Sequence, residues 1–172
     1  MDQTRTLYRL GIEQYGRGEL DAALRSFQQH IAANPTDHNG YICIGVILEA
    51  KDRLEEAIDF YCKAVALRPD PKYHHLIGSA YQKLRHLGKT KQEAEHYASA
   101  IRLQPDFADA WHSLAGLHLY QGDYDESIRT AKCAIDLKVD EPRYYHTLAL
   151  AHFFRGDDRS ARDQMTKSNE LL

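Results

Sequence analysis

Three histidines, His75, His112 and His146, recur 37 and 34 residues apart, each three places before a Gly or Ala that follows a large aliphatic residue. Imidazole is a common zinc ligand and proton carrier, so a stack of three raises the question of a metal site. No carboxylate or thiolate recurs at a matching place to complete a coordination shell, and no metal is expected. The imidazoles read instead as hydrogen-bonding groups for a bound peptide, or as a pH-sensitive set charging near the ordinary pKa of about 6.5. Glu93-Ala94-Glu95-His96 sets an acid beside a base, but among other charges on a helix it reads as a solvated face. Cys43, Cys62 and Cys133 are odd in number and far apart, which predicts reduced thiols rather than a disulfide framework or zinc site. Nucleophile elbows, phosphate loops, His-Glu-x-x-His helices and nucleotide fingerprints are absent. The chain is therefore expected to be neither an enzyme nor a cofactor binder.

The elements that must position these residues repeat. A small residue in one hydrophobic setting returns at Gly11, Gly45, Gly78, Ala115 and Ala149, at intervals of 34, 33, 37 and 34 residues, a period that signals a helical solenoid. Leu54, Ala57, Ile58, Tyr61, Ala64, Val65 and Leu67 fall at three- and four-residue steps, predicting an amphipathic helix over 54–67. Gly18, Gly122 and Gly156 supply permissive turns between paired helices. Pro35, Pro69 and Pro105 end the second helix of a pair, and Asp37, Asp70 and Asp106 are candidate starts for the next. The spacing from the small residue to the closing proline is 24 in the first two repeats and 27 in the third, so the third has a lengthened turn near Leu87-Gly88-Lys89. The small residues are expected to face Ala23, Ala57 and Ala161 across each pair. His118 and His152 point into the pair interface as core histidines.

Composition is compatible with this. A chain of 172 residues with 43% hydrophobic content can bury a core. Its 22 basic and 25 acidic residues are interleaved, with a net charge of −3, which argues against nucleic acid as partner. No run approaches the roughly 18 apolar residues of a membrane span, and Met1-Asp2-Gln3-Thr4-Arg5 carries no signal-peptide core, so the expected location is cytoplasmic, without membrane insertion. Ser168 and Asn169 replace apolar residues of earlier repeats, as expected of a polar terminal cap, which predicts an end near Leu172. Met165, Leu171 and Leu172 leave apolar surface that a homodimer through the terminal repeats or another partner would cover.

The large residue, Leu-Gly or its equivalent, aromatic, turn Gly, paired Ala and closing Pro resemble the tetratricopeptide repeat (TPR) family over essentially the whole chain. The resemblance implies an all-α fold: a right-handed α-solenoid of five antiparallel helix pairs, a single array over 1–172 with repeats at about 4–37, 38–70, 71–107, 108–141 and 142–172. It also implies an inner groove lined by the first helix of each pair. At the family's inward places stand Tyr8, Ile12 and Tyr15, then Ile42 and Val46, then Lys72, His75 and Ser79. His112, Leu119 and Tyr120 follow, then Arg143, His146, Leu150, Phe153 and Phe154. Exposed aromatic and branched side chains collected there suit a peptide or helix of another protein. The family's clamp for the acidic tail of heat-shock chaperones has Tyr8, Ile12, Cys43, Lys72 and Leu76 at its places, with only Lys72 matching. The Asn ladder of sugar-transferase members is replaced by Arg9, Cys43, Leu76, Ser113 and Thr147. The expected function is a protein-binding adaptor or scaffold, the alternatives being a secretion-type chaperone for an apolar client segment or a regulatory module of an enzyme complex.

Overall fold

The computed structural model describes residues 3–172, and among them no strand occurs. Ten α-helices follow in order: α1 (Gln3–Gly16), α2 (Leu20–Ala33), α3 (His38–Ala50), α4 (Leu54–Leu67), α5 (Pro71–Lys83), α6 (Thr90–Leu103), α7 (Ala108–Gln121), α8 (Tyr124–Leu137), α9 (Pro142–Arg155) and α10 (Asp158–Glu170). The chain divides into two compact units, one ending at Leu87 and one beginning at Gly88. Unit 1 holds α1 to α5, unit 2 holds α6 to α10, and within each unit successive helices pack antiparallel or side by side. Helices of 13 or 14 residues are marginal alone, so lateral packing supplies the stability.

The local sequence explains the element ends. The predicted helix over 54–67 is α4, with Glu55 and Glu56 in its first turn, where carboxylates suit the helix dipole. Asp37 and Asp70 cap α3 and α5, accepting from the amides of Asn39 at 3.0 Å and Lys72 at 2.9 Å. Asp106 does not start α7, whose N-terminal flanking residue is Phe107. Gly18, Gly122 and Gly156 have φ of 77°, 83° and 88°, the left-handed turns the sequence predicts. The α3–α4 turn makes the same excursion at Asp52, with φ of 58°. The three extra residues of the third repeat form the 3-10 turn Arg85–Leu87, followed by Gly88 at φ of 70°.

Packing inside the pairs differs from the expectation of Gly against Ala. A Cβ on Gly45 would lie 2.3 Å from the Tyr61 ring, and one on Gly11 would lie 2.8 Å from the Phe27 ring. The space opened by each glycine is thus filled by an aromatic side chain four residues beyond Ala57 or Ala23. Gly40 serves a second close approach, between α3 and the side chains of Ile31 and His30 on α2. The unit 1 core joins Phe27, Ile44, Ile47, Leu48, Tyr61 and Ile77. The unit 2 core is built from smaller pieces: Ala115, Ile128, Ala131, Leu148 and Ala151.

Glu93 is fully buried, which corrects the solvated-face reading at that residue, while Glu95 is exposed. Ser168 is likewise buried, and its hydroxyl donates to the Pro142 carbonyl at 2.9 Å, so it tethers a helix start instead of presenting a polar cap. His30, at the same place in the first pair, bonds the Thr4 carbonyl at 2.9 Å and the Asp37 carboxylate at 2.7 Å. The His30–Thr4 and Ser168–Pro142 contacts each span 26 residues. The indole Nε1 of Trp111 donates to the Pro105 carbonyl at 2.9 Å within unit 2.

Candidate functional site

The first helices of unit 1 form an apolar notch of about 120 Å³, lined by Ile12, Tyr15, Phe27, Ile42, Cys43, Val46 and Ile47. Phe27 and Ile47 are buried, whereas Ile12 and Tyr15 are 46% and 41% exposed. Four residues predicted from repeat position, Ile12, Tyr15, Ile42 and Val46, therefore converge on one surface. Burial pushes the Cys43 thiol upward, so it stays a neutral, soft wall. Tyr8 does not join them. Its ring packs edge-on against Phe27 at 5.5 Å and His30 at 5.2 Å, and its hydroxyl lies 3.6 Å from Cys43 Sγ.

Tyr8 instead borders a polar cleft of about 270 Å³ with Thr4, Arg5, His30, Asn34, Asp37 and Asn39. Burial acts to raise the Asp37 pKa, but bonds from His30 and the Asn39 amide outweigh it and hold the carboxyl below the usual range. On α5, Lys72 is exposed while His75 and Ser79 are half-buried. Glu49, in α3, accepts from the Tyr61 hydroxyl at 2.8 Å and from Lys83 at 2.9 Å, so it braces three helices and leaves the notch apolar.

Unit 2 carries a different surface. Tyr120, Phe153 and Phe154 are 58%, 58% and 56% exposed. Phe154 stacks on Tyr124 at 6.0 Å and meets Phe153 edge-on at 5.4 Å, making a run of rings across α8 and α9. Tyr124 escaped the repeat mapping because it lies on a second helix, outside the inward places. The run opens onto a larger notch of about 460 Å³ between α9 and α10, lined by Ala149, Leu150, Phe153, Asp158, Ala161, Arg162 and Met165. Leu150 and Phe153 stand at inward places of the fifth repeat, and Met165 is among the apolar residues that its terminal position leaves uncovered. Leu119 is partly buried against the unit 2 core.

Two of the polar residues expected to orient a ligand, His112 and Arg143, are committed within the fold. His112 Nε2 meets Thr147 Oγ1 at 3.0 Å, and its ring lies 4.9 Å from Tyr144. Burial, then the Arg143 charge, lowers the His112 pKa to about 4, against the opposing pull of Asp109 and Glu141. It remains neutral where an ordinary histidine would begin to charge, which corrects the reading of a group titrating near 6.5. Arg143 bonds Asp109 at 2.6 Å and Glu141 at 3.1 Å. His146 is exposed. Among the described residues, no three His, Cys, Asp or Glu side chains are grouped to hold a metal.

His118 and His152, at equivalent places, have opposite surroundings. His152 Nδ1 faces the Asp157 carboxylate at 3.1 Å, and Asp157 also accepts from the Ser160 amide. That Ser160 contact comes first among the causes that bring the Asp157 pKa down to about 2. His118 Nδ1 is buried without a hydrogen-bond partner, and the Asp123 side chain forms no cap.

The tetratricopeptide repeat family model matches residues 8–73 and 87–138. Among curated relatives, the human protein O-mannosyl-transferase TMTC3 is 31% identical over 96 residues, 55% of this chain and 10% of the relative. The peroxisomal targeting signal receptor of Candida glabrata is 30% identical over 97 residues, 55% of this chain and 16% of the receptor. The mouse superkiller complex protein 3 is 26% identical over 144 residues, 84% of this chain and 9% of that protein. The matched stretches are thus small parts of much longer proteins. Among solved structures, MamA residues 41 to the end from Desulfovibrio magneticus RS-1 superposes with a TM-score of 0.89 at 20% identity, covering 99% of this chain and 96% of that one. YrrB, a TPR protein with an unusual peptide-binding site, gives 0.78 at 14% identity, covering 96% and 84%. No described helix is long and apolar enough to cross a membrane. With two matched stretches that together take in most of its repeats, and the helical fold they require, this chain belongs to the tetratricopeptide repeat family.

Proposed function

We propose that the chain is a non-catalytic cytoplasmic adaptor, its five helix pairs forming one array, and that it holds an apolar segment of another protein. The observation that carries this reading is the convergence of Ile12, Tyr15, Ile42 and Val46 on a notch with no polar lining, matched in unit 2 by rings more than half exposed. Rigid aromatic and branched side chains gathered in a recess are what bury a ligand's apolar anchors. A relative named as a targeting-signal receptor and a structural neighbour with a peptide-binding site support a peptide as ligand. His75, Ser79, Lys72 and His146 would supply polar contacts at the margins, with Tyr8, His112 and Arg143 holding the helices that carry the surface.

A random peptide library displayed on phage tests the proposal. Enriched peptides should bind with micromolar or better affinity and lose at least tenfold on Ile12→Asp/Val46→Asp or on Tyr120→Ala/Phe154→Ala, while circular dichroism of the variants is unchanged. Absence of enrichment, or binding indifferent to both variants, would overturn it. A second reading, a regulatory module of an enzyme complex, is favoured by relatives named as a transferase and as a complex protein.

A further inference from the structure

The α9–α10 notch has an internal counterpart that shows what kind of element fits it. One repeat earlier, Ala115, Ile128 and Ala131 of α7 and α8 cluster with Leu148 and Ala151 of α9; α9 is the helix that fills that recess. Moving on by the 34-residue register, Ala115 becomes Ala149, Ala131 becomes Met165 and Ile128 becomes Arg162. Ala149 persists in the floor, which Met165 enlarges; the aliphatic wall becomes the cation Arg162, and the aromatic place of Tyr124 becomes Asp158. The rim changes sign as well. Asp21 in unit 1 and Asp125 in unit 2 each pair with a cation on the following helix, Lys51 at 2.6 Å and Arg155 at 2.9 Å. The same place in α10 is Arg159. Arg159 and Arg162 are exposed, and neither takes part in an ion pair among the described residues.

We infer that this notch docks an acidic amphipathic helix of a different protein, seated as α9 is seated on α7 and α8. Such a helix has an aliphatic residue at the place of Leu148 and carboxylates at those of Ala151 and Arg155. The carboxylates face Arg162 and Arg159, so charge complementarity fixes register while the Ala149, Ala161 and Met165 floor takes the apolar side chain. A second copy fits badly. The residues at the corresponding places are Leu10 and Glu13 of α1 and Arg17 just beyond its end, with Arg5 and Arg9 on the same helix; Arg17 would meet Arg159. Leu10 is left 40% exposed where Ile44, Ile77 and Leu148 are buried, yet the surrounding arginines oppose end-to-end stacking. This inference rests on the reading of the chain as a protein binder; its notch shares Phe153 with the unit 2 rings and has no residue in common with the Ile12–Val46 notch.

The probe is a synthetic peptide with the α9 sequence Pro142–Arg155 carrying Ala151→Glu and Arg155→Glu; the unmodified α9 peptide and the α1 peptide are controls. Titrated against the whole chain, the acidic peptide should bind at least tenfold more tightly than either control. Arg159→Glu/Arg162→Glu should weaken it tenfold or more and leave phage-selected ligands of the Ile12–Val46 notch unaffected. Equal binding of acidic and unmodified peptides, indifference to the double reversal, or no binding of the acidic peptide would each overturn the inference. A loss of phage-selected ligands with the acidic peptide still bound would count against the notch reading of unit 1 alone.

Discussion

In unit 1 the first helices carry glycine and the second helices carry rings, Gly11 with Phe27 and Gly45 with Tyr61; in unit 2 the same places hold Ala115 with Ala131 and Ala149 with Met165. The glycine–ring pairs fill the volume between their helices by setting a large group against no side chain; Ala115 and Ala131 do so by setting two small groups together, whereas Ala149 and Met165 line the notch left open between α9 and α10. The difference teaches that the repeat holds its first-helix place small while its second-helix place ranges from Ala to Tyr. It also concentrates sensitivity in unit 1, where the partner is a rigid ring with nowhere to turn.

The largest effect follows directly. Gly45→Ala should destabilise the chain by about 2–3 kcal/mol, the cost of overpacking a tight core, with Tyr61→Leu in the same chain restoring much of it. Ala115→Gly should cost about 1 kcal/mol, the ordinary helix penalty of glycine. Urea unfolding measures both, and equal losses would remove the distinction between the halves.

That distinction was half legible in the sequence. The register that marks Phe27, Tyr61 and Tyr97 was visible, but one-dimensional periodicity does not say whether a small residue faces Ala or the ring four residues on. The same register, applied strictly, places Glu93 four residues before Tyr97, where Ala23 and Ala57 precede Phe27 and Tyr61; its charge argued for solvent and its position argued for burial, and position prevailed. Counting eight residues back from Gly45, Gly78 and Ala115 gives Asp37, Asp70 and Phe107, so Asp106 stands one place too early to flank α7. The apolar notch of unit 1 was readable because Ile12, Tyr15, Ile42 and Val46 all stand at inward places of the first helices. The α9–α10 notch was not, because its walls depend on two helices meeting and on Arg162 and Asp158 taking over aliphatic and aromatic places.

Acid should act on unit 2 through His112. Burial and Arg143 lower its folded pKa to about 4, so the neutral ring contributes stability that is complete above the unfolded value of about 6.5. That contribution declines as pH falls from there through about 4. Thermal unfolding of the whole chain at pH 7 and pH 5 should show a drop that His112→Gln reduces; an identical drop in the variant would refute the assignment. Groups facing His112 are Arg143, Asp109, Glu141, Tyr144 and Thr147.

The smallest change sharpens the contrast between turns. Asp52 makes the left-handed excursion that Gly18, Gly122 and Gly156 make elsewhere. Asp52→Gly should raise stability by up to about 1 kcal/mol, since a side chain in that conformation costs about 1–2 kcal/mol and glycine's unfolded-state entropy returns part of it. A lower urea midpoint in the variant would mean that the Asp52 side chain stabilises the turn by other means.

Trp111 anchors its indole to the carbonyl of Pro105, and it is the sole tryptophan of the chain. Its fluorescence is therefore a built-in optical reporter for one half of the molecule and silent about the other. Unfolding followed by emission and by far-ultraviolet signal would coincide if the halves melt as one, and separate if they melt in turn, without any label being added.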